Sequence, residues 1–285
     1  MLKVLRSVAI VVGIFLALYQ PASAADSFPG PSTTPEEYYC LSLVAGFPQS
    51  WLFVMSKGFC VRGTDHIFVH TDWPKELIAG DWDKGFHITN VAGDKDGWVV
   101  VMNDASALGE QVYFGPGMFP SEAIAEKLKD DFRITAIAGF NDQWVVVMSK
   151  GTGISGQLFT EPTDFEKKQQ WLKDHYAEGY RITNLAGDRG RAAAQYVIVL
   201  SQKSGIGEQV WIGPGEFPDK WIEQKRSQGY EITAATGYGR WIVVMSNGMH
   251  LGDQSWEWGP KLPVTWISKH GRPGVLEMNK VWDFE

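Results

Sequence analysis

The stretch FPDKWIEQKRSQGYEITAATGYGRWIVVMSNGMHLGDQSW, Phe217 to Trp256, decides the fold. Trp221, Ile222, Lys225 and Arg226 fall at helical spacing and Gly229 closes that segment. Three short apolar runs separated by glycine-rich turns follow, so the stretch reads as one helix and three strands. The same pattern is written again upstream. Ile232-Thr233 recurs as Ile182-Thr183, Ile134-Thr135 and Ile88-Thr89; WIVVMS at Trp241 recurs as WVVVMS at Trp144 and WVVVMN at Trp98; Gln254 recurs as Gln209, Gln157 and Gln111. A period of roughly 45 to 52 residues marks a repeat architecture.

Working outward, the N-terminus carries Lys3 and Arg6, an apolar run from Val8 to Tyr19, and Ala22-Ser23-Ala24. This predicts a signal peptide over residues 1–24, removed after Ala24. The apolar run, about 12 residues, is short of the roughly 20 that a membrane span needs. No Cys follows the cleavage site, which argues against a lipoprotein. The expected destination is the periplasm or the exterior, with no membrane span after cleavage. Residues 25–37 (ADSFPGPSTTPEE) read as a flexible lead-in, and residues 38–285, which contain no Pro/Ser-rich linker, as a single repeat domain.

The chain has 26 basic and 33 acidic residues, net -7. Cleavage would remove two basic residues and no acid, taking the balance to 24 against 33, or -9. So acidic a chain lacks the clustered Lys and Arg that a phosphate backbone requires, so no nucleic-acid partner is expected. Cys40 and Cys60 are the two cysteines. Export permits a disulfide between them, and a pair of buried thiols is the alternative. A metal site is not expected, since neither further cysteines nor a close His pair completes a ligand set.

Strands are expected at Tyr39–Gly46, Trp51–Gly58 and His66–His70 with no helix before them. Helices are expected at Trp73–Lys84, closed by Gly85, at Ser121–Lys129 with Ser121 as N-cap and Glu122 in the first turn, and near Asp164–Ala177. Leu262–His270 (LPVTWISKH) repeats the helix start FPDKWIEQK, and Val275–Phe284 looks strand-like. The chain thus begins with strands lacking a helix and ends with a helix lacking strands. Joined, the two halves complete one unit. The expected fold is an α+β repeat, a closed propeller-like ring of five units, each a three-stranded antiparallel sheet with one helix; closure would remove exposed sheet edges.

The repeat, and within it KGTGISGQ at Lys150–Gln157 and EGYRITNLAG at Glu178–Gly187, resembles a domain of unknown function found in the C-terminal region of plant casein-kinase-I-like nuclear kinases and in assorted bacterial proteins. The resemblance covers nearly all of residues 38–270. It implies the repeat architecture and brings no activity with it; the VAIK-like lysine strand, HRD loop and DFG of a kinase are missing from the sequence.

GTGISG at Gly151–Gly156 fits a phosphate-loop pattern but leads into a strand rather than a helix, so it reads as a turn. Asp94-Lys95-Asp96-Gly97 begins like a calcium loop without the remaining ligands, and a hairpin turn explains it equally. Thirteen Trp in an exported acidic chain suggest sugar stacking, yet Trp51, Trp98, Trp144, Tyr196 and Trp241 share one repeated position, which a core demands. Trp211, Trp256 and Trp258 are freer. Ser56, Ser149, Ser201 and Ser246, with Asn103 in the fifth copy, point to a hydrogen-bonding role at a strand end, because a nucleophile is needed once.

Function is therefore sought where the repeat is broken. Lys57, Asp104 and Lys150 follow the Ser/Asn position and differ from Gln202 and Asn247 there. Asn90 and Asn184 interrupt a wall of alanines after Thr. His66 stands where the other units have Gln, and Arg189 and Arg191 enlarge one hairpin. Lys57, Asp104, Lys150, Asn90, Asn184 and His66 are the candidate ligand-binding residues, each with a solvated loop as the plain alternative. No catalytic residue and no cofactor is assigned. The expected function is a non-enzymatic module that binds a glycan, peptide or partner protein at a ring face, with a secreted hydrolase acting at the repeat-breaking positions as the alternative.

Overall fold

The computed structural model describes residues 11–12, 14–15, 39–47, 50–57, 64–94, 97–104, 106–188, 194–237, 240–271 and 276–280. Two-residue strands Val11–Val12 and Ile14–Phe15 pair with each other. The rest builds five three-stranded antiparallel sheets and five helices.

Sheet one holds first strand Cys40–Phe47, middle strand Ser50–Ser56 and third strand Gln254–Gly259. Sheet two holds His87–Asp94, Gly97–Asn103 and Asp65–His70. Sheet three holds Arg133–Phe140, Gln143–Ser149 and Gln111–Gly117. Sheet four holds Arg181–Asp188, Gln195–Gln202 and Gly156–Phe159. Sheet five holds Glu231–Gly237, Trp241–Ser246 and Gln209–Gly215. The helices are α1 (Lys75–Trp82), α2 (Ser121–Lys129), α3 (Gln169–Ala177), α4 (Asp219–Arg226) and α5 (Val264–His270).

The third strands correct the sequence reading. Each leaves the hairpin it follows and becomes the edge of the next sheet, so a sheet runs third strand, helix, first strand, middle strand. The segments between middle and third strands explain this. They are too long for a tight hairpin, and four of them bury an apolar residue: Leu108, Ile154, Ile206 and Leu251. GTGISG is such a crossing, with Gly151 and Gly153 at φ 75° and 71°. The last third strand, Gln254–Gly259, and α5 complete the N-terminal hairpin, and Leu276–Lys280 adds in parallel to the edge strand Asp65–His70.

Four helices start with Pro at the N-cap, Pro74, Pro120, Pro218 and Pro263, so Ser121 is the first helical residue of α2 and not its cap. Pro fixes φ where the N–H would be unpaired anyway. Gly85, Gly179 and Gly229 close α1, α3 and α4 at φ 88°, 87° and 84°. α3 begins later than expected, after a 3-10 turn at Glu166–Lys168.

Five apolar clusters form the core, and each joins two sheets. Trp51, Trp98, Trp144, Tyr196 and Trp241 are buried, and they pair across the strands with Gly46, Gly93, Gly139, Gly187 and Gly237. A Cβ on Gly93 or Gly139 would come within 2.9 or 2.6 Å of the facing indole. The glycine that ends each first strand is thus the seat of an aromatic ring. First strands also lie side by side: those of sheets one to five neighbour one another in order, and that of sheet five neighbours that of sheet one.

Candidate functional site

The repeated polar residues are committed to one another. In each first strand the residue at the Thr position is skipped by the pairing register, and in four of the five its hydroxyl turns to the middle-strand Ser: Thr135 to Ser149 at 2.8 Å, Thr183 to Ser201 at 2.7 Å, Thr233 to Ser246 at 2.7 Å, Ser42 to Ser56 at 2.8 Å. The Gln that opens the third strand completes a clip between sheets. Gln157 donates from Nε2 to Ser201 Oγ in its own sheet and to the Ile134 carbonyl of the preceding sheet, and accepts from the Ile134 N–H at 2.6 Å. Gln111, Gln209 and Gln254 do the same with Ile88, Ile182 and Ile232. A two-way amide fits a backbone N–H and C=O together, and burial makes an unmade bond expensive.

The fifth seam, between sheets one and two, departs from this. Register places Asp65, not His66, at the Gln position, opposite Asn103 at the Ser position. Asn103 Nδ2 donates to Asp65 Oδ1 at 2.8 Å. Burial, opposed by that hydrogen bond and reinforced by the charge of Asp104, raises the Asp65 carboxyl to about 6.

His66 has a different explanation. At four helices a basic residue lies over the aromatic that precedes the first strand: Lys127 over Phe132 at 4.8 Å, Lys225 over Tyr230 at 5.4 Å, His175 against Tyr180 at 5.7 Å and His270 against Tyr39 at 6.2 Å. α1 carries Asp81 at that place. His66 stacks on the equivalent aromatic, Phe86, at 4.2 Å and its Nδ1 lies 2.5 Å from Asp81 Oδ2, while Lys84 donates to Asp81 Oδ1 at 3.1 Å. The packing of a cationic-type ring on an aromatic is thus rebuilt from another strand. A cavity of about 250 Å³ opens beside this pair, bordered by Glu76 and Leu77.

The other candidates fall elsewhere. Lys57 and Lys150 lie over Tyr39 and Phe132 at 5.1 and 4.7 Å, and Lys150 pairs with Glu110 at 2.8 Å. Asp104 accepts the Thr64 N–H at 2.7 Å. Asn90 and Asn184 are buried and line one cavity of about 30 Å³ where all five first strands meet, together with Leu43, Ala136 and Ala234. That volume holds a water molecule or two and no sugar ring. Cys40 opens the first strand of sheet one and is not a free thiol. Cys60, Lys95, Asp96, Arg189 and Arg191 lie outside the described residues, as does the lead-in 25–37. Among the described residues no three of His, Cys, Asp and Glu gather to hold a metal ion, and no helix is long and apolar enough to cross a membrane.

Departures that reach solvent cluster around α4, and sequence inspection did not single out their grouping. Counted from the Gln that opens each third strand, Trp258 falls where Gly115 and Gly213 stand, at a point where the pairing of those two strands shifts register. Trp258 is 42% exposed, one of two large apolar side chains so open among the described residues. Its ring stacks on Phe217 at 4.7 Å and its Nε1 donates to Asp219 at 3.1 Å; Trp256 Nε1 donates to the other carboxylate oxygen at 3.3 Å. Arg226 lies over Trp256 at 5.1 Å and 3.7 Å from Asp253. Beyond it opens a groove of about 650 Å³ lined by Arg226, Tyr230, Glu231, His250 and Asp253. Glu231 replaces the Arg133 and Arg181 of sheets three and four; burial raises its carboxyl, and the N–H groups of Leu251 and Gly252 oppose that.

Five antiparallel sheets with one helix each, held by a repeated side-chain clip, define an internally repeated protein of mostly strands. The chain belongs to the family described as Domain of unknown function (DUF7477), which matches residues 33–160 and again 134–275. Two matches that overlap over residues 134–160, the first and middle strands of sheet three and the third strand of sheet four, are what a repeat of this kind gives. No curated protein matches the chain.

Proposed function

We propose that the chain is an exported, propeller-like closed ring that acts as a non-enzymatic binding module for a glycan, peptide or partner protein, presented at a ring face. Closure is supported by first strands that neighbour one another in cyclic order and by an apolar cluster for each adjoining pair of sheets. Export is supported by the sequence of residues 1–24 and would allow the Cys40–Cys60 bridge. On this reading the C-terminal region of the plant kinases that the repeat resembles is the same ring used as an appended module.

The observation that carries the binding reading is the contrast between the buried, committed Ser, Thr and Gln side chains and the surroundings of α4, where Trp258 is exposed and Arg226, Glu231 and Asp253 line a groove of ligand size. The secreted hydrolase has the His66–Asp81 pair as its nearest support, and that pair also serves packing on Phe86. A glycan and peptide array probed with the protein purified from its exported fraction tests the proposal. Saturable binding to one ligand class is expected. Absence of any hit on both arrays, or turnover of a bound probe, would overturn it.

A further inference from the structure

Trp258, Asp219 and Glu231 come from a third strand, a helix and a first strand, and a run of contacts through Trp256 and Arg226 links them where sheets five and one adjoin. The surface has two ends. At one lies Trp258, backed by Phe217 on one face and held at its indole N–H by Asp219. A ring pinned at its edge and supported from behind keeps its other face fixed without spending side-chain freedom. The other end is the groove of about 650 Å³, within the size range of ligand sites. Trp256 and Arg226 connect the two ends.

The chemistry of the lining selects the ligand. Arg226 donates, Glu231 and Asp253 accept, and Ser227, whose hydroxyl donates to the Gln224 carbonyl at 2.7 Å, accepts as well, so the wall offers both donors and acceptors rather than the single sign that a phosphate or a polycation would call for. The exposed Trp stands alone: Lys220, Glu257 and Lys261 around its strand and helix are exposed charges, so there is no broad apolar face for a protein partner. One flat aromatic surface followed by donors and acceptors side by side matches an oligosaccharide, whose pyranose rings have an apolar C–H face and hydroxyls that both donate and accept.

We propose that this surface is a saccharide-binding site, with one pyranose stacked on Trp258 and the following rings hydrogen-bonded to Arg226, Glu231 and Asp253. This rests on the binding-module reading and names its ligand class and its place. Isothermal titration of the full exported protein with chitohexaose, cellohexaose and xylohexaose tests it. At least one should bind, Trp258→Ala should weaken that binding at least tenfold, and Trp258→Phe should retain part of it, with the melting curves of all three proteins alike. Arg226→Ala should weaken it several-fold from the other end of the site. Equal binding by Trp258→Ala, or no binding of any of the three sugars, overturns the saccharide site. Peptide hits on the array alongside such a result would overturn this inference while leaving the binding module standing; no hit of any kind would remove both.

Discussion

Asp65 and Asn103 occupy the places that Gln and Ser hold at four seams, and the exchange has a consequence in pH. A carboxyl raised to about 6 by burial binds its proton more tightly in the folded chain than in the unfolded one, where it titrates near 3.8. Its contribution is therefore fully present below about 3.8 and is lost as pH rises through about 6. Asp104 and His66 face the same carboxyl and shift it in opposite directions. Asp65→Asn removes the titration while keeping a partner for Asn103. It should raise the melting temperature at pH 7.5 by a few degrees, at about 2 to 4 °C per kcal/mol, and lose that gain at pH 3.5. Melting temperatures that differ by the same amount from pH 3.5 to 8 would contradict the account. Residue identity alone suggested a hydrogen-bonding role for the repeated Ser, and the clip supplies its partners. It did not show that Asp65 rather than His66 takes the Gln position, because the third strands lose the sequence motif there and only the pairing with Asn103 fixes the register.

Among elements, the helix and the first two strands of each repeat were legible because their periods are strong: Ile at helical spacing, a glycine close, then Ile-Thr and an apolar run. The third strand was legible as a strand and not in its pairing. Local pattern carries no information on which sheet an edge joins; the crossing segments are too long for a tight hairpin, and Leu108, Ile154, Ile206 and Leu251 within them are buried. The aromatic at the start of each middle strand was read as core, and its buried place over a first-strand glycine gives the reason. Trp241 packs against Phe217 at 5.3 Å within the cluster that joins sheets five and one. Trp241→Ala should cost about 3 to 5 kcal/mol, a large part of a total of about 5 to 15 kcal/mol. Urea unfolding measures it, and a midpoint equal to that of the parent protein would place the indole outside the core. The groove around α4 was not legible, since Trp258, Asp219 and Glu231 are distant in sequence and each is ordinary alone.

For the whole molecule, the decisive pairing is between the chain's two ends. Gln254–Gly259 is the edge of a sheet whose other strands are Cys40–Phe47 and Ser50–Ser56, and Gln254 Nε2 donates to Ser56 Oγ at 3.1 Å across 198 residues of chain. Contacts so distant in sequence carry a loop-closure cost, and Gln254–Gly259 supplies the third strand of the sheet that holds the N-terminal hairpin. The apolar cluster that contains Leu52 and Val54 of that hairpin also contains Ile222, Ile232 and Trp241 of sheet five. Opening this sheet exposes that cluster as well as one seam. Truncation after Asp253 removes the last third strand, α5 and the parallel edge strand Leu276–Lys280, while keeping the three antiparallel strands of sheets two to five in the sequence. The most direct measurement is thermal unfolding of this truncated protein beside the full chain, with amide exchange read at Trp51–Ser56. The ring account predicts that the truncated protein loses its single cooperative transition and that Trp51–Ser56 exchanges freely. An unchanged melting temperature with Trp51–Ser56 still protected would contradict closure through the chain ends.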